Sequence, residues 1–141
     1  MDKNQTELFE IAKESSKFAY SPYSGYNVGA ALQTKCGKIF TGCNIENASY
    51  SLSCCAERTA FFKAVNDGKR NLKAIAVVAG FEDGRDFDKI STPCGSCRQV
   101  MREFCDPGSF VVLFAPLSRP EEITELLLDE LLPHSFGPDD L

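Results

Sequence analysis

Leu72-Lys73-Ala74-Ile75-Ala76-Val77-Val78-Ala79-Gly80 is a near-continuous apolar run, the pattern of a central strand covered on both faces. A strand of that kind needs helices above and below it, and the flanking chain provides them. Residues 6–20 set Leu8, Phe9, Ile11, Ala12 and Ala19 at helical spacing, which predicts an amphipathic first helix. Ser21-Pro22-Tyr23-Ser24-Gly25 ends it, because the residue before proline avoids helical angles. Residues 27–34 and 39–43 read as the strands of a hairpin that turns at Lys35-Cys36-Gly37-Lys38. A second helix starts near Cys55, with Ser53 available to cap it, runs through Ala60, Phe61, Ala64 and Val65, and closes at Asp67-Gly68. Beyond the central strand, residues 81–89 form a charged loop. Pro93 precedes a third helix holding Cys94, Cys97, Val100, Met101 and Phe104, and residues 110–115 form another buried strand. Residues 121–128 read as a last helix before the tail. The order α-β-β-α-β-α-β-α is that of an α/β protein, a sheet with helices on both faces.

The chain of 141 residues is read as a single domain, 1–141, long enough to bury roughly two-thirds of its unfolded surface. Its 43% hydrophobic and 25% charged residues are those of an ordinary globular protein. No apolar stretch approaches the roughly 20 residues of a membrane helix. The polar N-terminus, Met1 to Glu7, does not have the form of a signal peptide. The expectation is a cytoplasmic protein with no membrane partner. Net charge is −5, without a run of basic residues, which disfavours nucleic acid, since phosphate backbones are gripped by Lys and Arg. Lys69, Arg70 and Lys73 read as a solvated helix end. A small-molecule partner suits the charge better.

Seven cysteines, an odd count, argue for reduced thiols or metal ligands over a disulfide framework. Cys36, Cys43 and Cys105 read as small buried apolar side chains. Because His134 is the lone histidine, a three-histidine zinc site is impossible. Cys55-Ala56-Glu57-Arg58 and Pro93-Cys94-Gly95-Ser96-Cys97 remain. A Cys-x-x-Cys pair opening a helix puts two thiols within one turn, and Cys55 adds a third. Zinc is the natural ion for thiolates, and three ligands leave its fourth position open with Glu57 beside it. Two alternatives stand: Cys54 closes a structural site as a fourth ligand, or Cys94 and Cys97 form a redox pair with Cys55 in the core. Three thiolates outweigh the charge of one zinc ion. Helix N-termini at both ligand groups and a hydrogen bond from Arg58 to a ligand sulfur would offset the excess. Asn44 and Glu46 point to one side of an extended chain, with Ile45 buried on the other. They are either a solvated strand end or a pair of polar groups aimed at one place.

Together these residues resemble the small cytidine deaminases with three cysteine zinc ligands. The resemblance spans nearly the whole chain: Ser21-Pro22-Tyr23-Ser24, Val28-Gly29-Ala30-Ala31, Gly42-Cys43-Asn44-Ile45-Glu46-Asn47-Ala48, Cys55-Ala56-Glu57-Arg58-Thr59-Ala60, Pro93-Cys94-Gly95-Ser96-Cys97-Arg98-Gln99 and Glu130-Leu131-Leu132-Pro133. Cys-x-Glu followed by Pro-Cys-x-x-Cys is the general signature of zinc base deaminases. The resemblance implies a three-layer α/β/α fold with a mixed central sheet, one Zn²⁺ per subunit, and hydrolysis of cytidine and 2′-deoxycytidine to the uracil nucleosides and ammonia in pyrimidine salvage. It implies that Cys55, Cys94 and Cys97 bind the metal and that Glu57 shuttles protons. It assigns Asn44 and Glu46 to the sugar hydroxyls, Tyr26 (phenylalanine in many relatives) to the base ring, the Ala56 N–H to the base carbonyl and the Thr92 carbonyl to the leaving amine. It further implies a homotetramer in which Ala48, Tyr50 and Phe136 complete a neighbouring subunit's pocket. A carboxylate at Glu46 would repel a phosphate, so nucleosides rather than CMP are the expected substrates. Another deaminase-fold enzyme, such as a blasticidin type, and a non-enzymatic zinc-stabilised domain are the remaining readings.

Overall fold

The computed structural model describes residues 3–85 and 92–141. A five-stranded sheet runs in the order β2-β1-β3-β4-β5. Its strands are β1 (Tyr26–Thr34), β2 (Ile39–Cys43), β3 (Leu72–Phe81), β4 (Val111–Pro116) and β5 (Thr124–Leu127). β3 and β4 are parallel and the other neighbours antiparallel, so the sheet is mixed. The apolar run is the middle strand, as its composition requires. Ile75 and Val77 face the helices α2 (Ala56–Asn66) and α3 (Gly95–Phe104), while Ala76 and Val78 face α1 (Lys3–Ser16). On the α1 face, Ala31, Ala76, Val78, Leu113 and Ala115 of the sheet pack against Leu8, Phe9 and Ala12. The other face holds the larger Leu32, Phe61, Met101, Phe110 and Phe114. Helix, sheet and helices form three layers.

Glycines let two helices lie directly on strand backbone. A Cβ on Gly29 would stand 2.0 Å from the Ala12 carbonyl of α1. One on Gly42 would stand 2.3 Å from the Ala56 carbonyl in the first turn of α2. Gly42 therefore fixes how closely the ligand-bearing end of α2 approaches β2.

Several expectations are corrected. Residues 121–128 are not a helix: β5 occupies Thr124–Leu127, and only Leu128–Leu131 are helical, as α4. The Glu- and Leu-rich composition favours helix, but β4 would otherwise leave an unpaired edge. Pairing Val111 with Leu127 and Val112 with Leu126 overrides that propensity. The first helix ends at Ser16, because the Tyr20 backbone is drawn into extended pairing with Asn44 and Glu46. Ser53 does not cap α2. Its hydroxyl accepts from the Asn47 N–H, and Cys55 is the N-cap. Ile45 is 46% exposed, not buried, and Cys36 is exposed at the hairpin tip. Residues 86–89 of the expected charged loop lie outside the described residues.

Candidate metal centre and active site

The N-termini of α2 and α3 meet at one end of the sheet. Cys55 is the N-cap of α2 and Cys94 that of α3, where its sulfur accepts from the Cys97 N–H. Helix starts expose N–H groups without intrahelical acceptors and carry positive dipole ends, both of which favour thiolates. Cys55 Sγ lies 3.8 Å from Cys94 Sγ, and Cys94 Sγ lies 3.4 Å from Cys97 Sγ. All three sulfurs are within 4.8 Å of one another. Tetrahedral zinc with bonds of about 2.3 Å separates its sulfurs by about 3.8 Å, so the cluster has the dimensions of a zinc site. Cys54 is outside it. Its thiol faces the Thr59 hydroxyl and the Cys55 carbonyl, each at 3.6 Å, so the four-cysteine closed site is not formed.

Charge tells the same story. Hydrogen bonds from the Cys97 thiol and the Arg58 guanidinium hold the Cys55 thiol well below its usual range. The same bond to Cys55, with burial, pushes the Cys97 thiol up. Sulfurs this close do not all ionise unaided; a divalent cation among them would release the remaining protons. Arg58 Nη2 donates to Cys55 Sγ at 3.3 Å, as the excess of thiolate charge anticipated.

A cavity of about 490 Å³ opens beside the cluster, lined by Tyr26, Asn44, Glu46, Glu57 and Thr92 among others. Glu57, in the first turn of α2, is 5% exposed. Burial pushes its carboxyl up to about 7, the Cys55 thiolate adds to the rise, and the Arg58 guanidinium pulls against it. Tyr26 begins β1 with its ring edge-on to Phe81 at 5.0 Å. Ala56 is fully buried as the first residue of α2, so its N–H has no intrahelical acceptor.

Asn44 and Glu46 both line the cavity, and Ile45 between them points to the outer surface. The Asn44 side chain continues the strand ladder: its Nδ2 donates to the Tyr26 carbonyl at 2.8 Å, and its Oδ1 accepts from the Val28 N–H at 2.9 Å. Glu46 accepts from the N–H groups of Tyr23 and Ser24, at 3.0 and 3.2 Å, and from the Ser24 hydroxyl. Burial opposes its ionisation, yet these three donors hold its carboxyl below the ordinary range. Tyr23 and Ser24 seat Glu46, a role that the sequence does not show although the Ser-Pro-Tyr-Ser turn is legible in it. Tyr50 sits on this same cavity's rim, 75% exposed with its ring 6.1 Å from that of Tyr23. Ala48 and Phe136 are exposed and do not line it.

Residues 2–113 match the family model described as the cytidine and deoxycytidylate deaminase zinc-binding region. The chain is 48% identical over 134 residues to a cytidine deaminase of Sporosarcina psychrophila, spanning 95% of this chain and 92% of that protein. It is 44% identical over 142 residues to a probable cytidine deaminase of Dictyostelium discoideum, spanning 98% and 89%. The crystal structure of cytidine deaminase from Burkholderia pseudomallei superposes with a TM-score of 0.84 at 42% identity, over 96% of this chain and all of that one. Three sulfurs at zinc spacing, a buried carboxyl beside them and these likenesses agree: the chain is an enzyme of the zinc-dependent cytidine and deoxycytidylate deaminase family.

Proposed function

We propose that the protein converts cytidine and 2′-deoxycytidine, with one water, to uridine and 2′-deoxyuridine plus ammonia, as a step of pyrimidine salvage. Glu57 carries this reading: a carboxyl 5% exposed, lining the cavity beside the three sulfurs, in the first turn of the helix that begins at Cys55. Cys55, Cys94 and Cys97 would hold a zinc ion, which would supply Lewis acidity and make water nucleophilic near neutral pH. Glu57 takes a proton from the water whose oxygen bonds to C4 and delivers it to N3. It then takes the proton of the new C4 hydroxyl and delivers it to the amine, so that the C4–N bond breaks as the C4 carbonyl forms and ammonia leaves. A buried carboxyl raised above its ordinary range can both accept and release a proton in one turnover. The Ala56 N–H binds the base carbonyl, Tyr26 packs on the ring, and the Thr92 carbonyl accepts from the leaving amine. Asn44 and Glu46 hold the sugar hydroxyls. Glu46 keeps its charge, so it rejects a 5′-phosphate.

We also read the working form as a cytosolic homotetramer in which Ala48, Tyr50 and Phe136 reach a neighbour's cavity. Free thiols throughout the chain support a reducing compartment. Exposed apolar side chains on the stretch from residue 45 to 52, Ile45, Tyr50 and Leu52, of which Tyr50 lines the cavity, support burial against another subunit. Ammonia release from cytidine, compared with that from Glu57→Ala at equal zinc content, is the test. A folded, zinc-loaded protein that releases no ammonia from cytidine would refute the reading.

A further inference from the structure

We infer that Arg98 is a positioning residue for the leaving group: its guanidinium pins the Thr92–Pro93 peptide against the cavity, and with it the acceptor that receives the departing amine. The inference rests on the deaminase reading above. Arg98 lies one turn into α3, past the ligand Cys94, and its three donor nitrogens go to three acceptors. Nε donates to the Pro93 carbonyl at 2.7 Å, Nη2 to the Thr92 hydroxyl at 2.7 Å and Nη1 to the Leu131 carbonyl at 2.5 Å.

The Thr92 carbonyl lies on the peptide bond between the first two of these anchors. Thr92, Pro93 and Cys94 form one wall of the cavity, next to the metal cluster. On the deaminase reading, a base held with C4 beside the sulfur cluster would have its amine near that wall. The proposed function assigns the amine to the Thr92 carbonyl; the neighbouring Pro93 carbonyl is already taken by Arg98, and Pro93 has no N–H. Proline's ring fixes its own φ and holds Thr92 in the extended region. Rotation about ψ at Thr92 and Pro93 remains, and Arg98 restrains both by gripping the Thr92 side chain and the Pro93 carbonyl. The third anchor ties the wall to the end of α4, a rigid support far along the chain. A planar fork with donors in fixed directions is suited to this; a lysine ammonium is not.

Arg98 touches neither a sulfur nor the sugar side of the cavity in the hydrogen bonds it makes, so its loss should act on the leaving step and not on binding in general. The experiment compares wild type, Arg98→Lys and Thr92→Val, the last removing one anchor while keeping the side-chain shape. Steady-state turnover of cytidine is measured alongside inhibition by pyrimidin-2-one ribonucleoside, which is cytidine with hydrogen in place of the amine. A misplaced reacting group lowers rate by up to about 100-fold. The expected result is a fall in kcat of roughly 10- to 100-fold for Arg98→Lys, and a smaller fall for Thr92→Val, with KM within about threefold. Affinity for pyrimidin-2-one ribonucleoside and zinc content should hold. An unchanged kcat, or an equal loss of affinity for the amine-free ligand, overturns the assignment. Wild-type protein inactive on cytidine would instead overturn the deaminase reading on which it rests.

Discussion

Glu57 and Glu46 line one cavity, yet their surroundings drive their carboxyls in opposite directions. Glu57 is packed under the start of α2 beside a thiolate, and burial pushes it up to about 7. Glu46 sits at the mouth and accepts from two backbone N–H groups and a hydroxyl, which hold it low. Environment alone drives two carboxyls of one cavity apart, which suits the proposed roles of proton carrier for Glu57 and fixed charge for Glu46. Their placement follows from local structure. A helix N-terminus delivers Glu57 inward beside its preceding cysteine, whereas a strand end delivers Glu46 toward the turn at residues 21–25. Under the proposed function the cavity is polarised, with proton transfer assigned to the Glu57 end and charge recognition to the Glu46 end.

The largest effect is expected at the proton carrier. Glu57→Gln keeps the shape and removes the exchangeable charge, so turnover of cytidine should fall by at least about 10²–10⁴-fold. Zinc content should persist, and melting temperature should hold or rise, because a buried ionisable group has been replaced by a neutral one. Retained turnover with zinc bound would abolish the division of labour between the two glutamates.

Arg58 sharpens the same contrast from the metal side. Its guanidinium donates to Cys55 Sγ and also lowers the Glu57 carboxyl's proton affinity. Arg58→Ala should leave zinc content near normal and lower turnover by roughly tenfold, the scale of one charged hydrogen bond. The sign of the pH effect follows. Without the cation the folded-state value of Glu57 rises further, so the acid limb of the kcat/KM profile should move to higher pH. A profile superimposable on wild type would remove Arg58 from the site's electrostatics.

Much of this polarised site is legible in the sequence, and the reasons are local. Cys55, Glu57, Cys94 and Cys97 can be read because helix starts convert short sequence spacing into spatial clustering. The central strand can be read because both of its faces must be apolar. β5 escapes such reading: its residues have helical preferences, and only the unpaired edge of β4 reverses them. The exposure of Ile45 escapes for a similar reason, since alternation shows that it opposes Asn44 and Glu46 but not what lies on that side. Arg98 escapes entirely, as its three acceptors combine neighbours in sequence with Leu131, which the fold alone brings near. Local chemistry is written in spacing, whereas supports that cross the chain are not.

At the sugar end the comparison predicts selectivity. A fixed negative charge at the mouth opposes a 5′-phosphate, and like charges brought together cost several kcal/mol when desolvated. Wild-type kcat/KM should favour cytidine over CMP by at least about tenfold. Glu46→Gln should narrow that ratio, chiefly by losing cytidine affinity and to a lesser degree by admitting CMP. Comparable turnover of the two substrates by wild type would show that Glu46 does not act as a charge filter.

The smallest expected effect concerns stability in acid, and its sign is set by the direction in which Glu46 is displaced. Its carboxyl is held below the ordinary glutamate value, so the folded state prefers the ionised form more than the unfolded chain does. That preference stabilises the fold above the unfolded value, about 4.3, and is lost as pH falls through the lower folded value. Glu46→Gln abolishes this dependence, because an amide cannot titrate and accepts less strongly from the Tyr23 and Ser24 donors. Thermal unfolding followed from pH 7 to pH 3 should show wild type the more stable at neutrality by a few degrees at most, given the solvent access at the mouth. The two curves should converge toward the acid end. A gap that stays constant across the range would mean that the turn at residues 21–25 is held by shape rather than by the carboxylate's charge. Glu46 and Glu57 would then differ in position but not in electrostatic design.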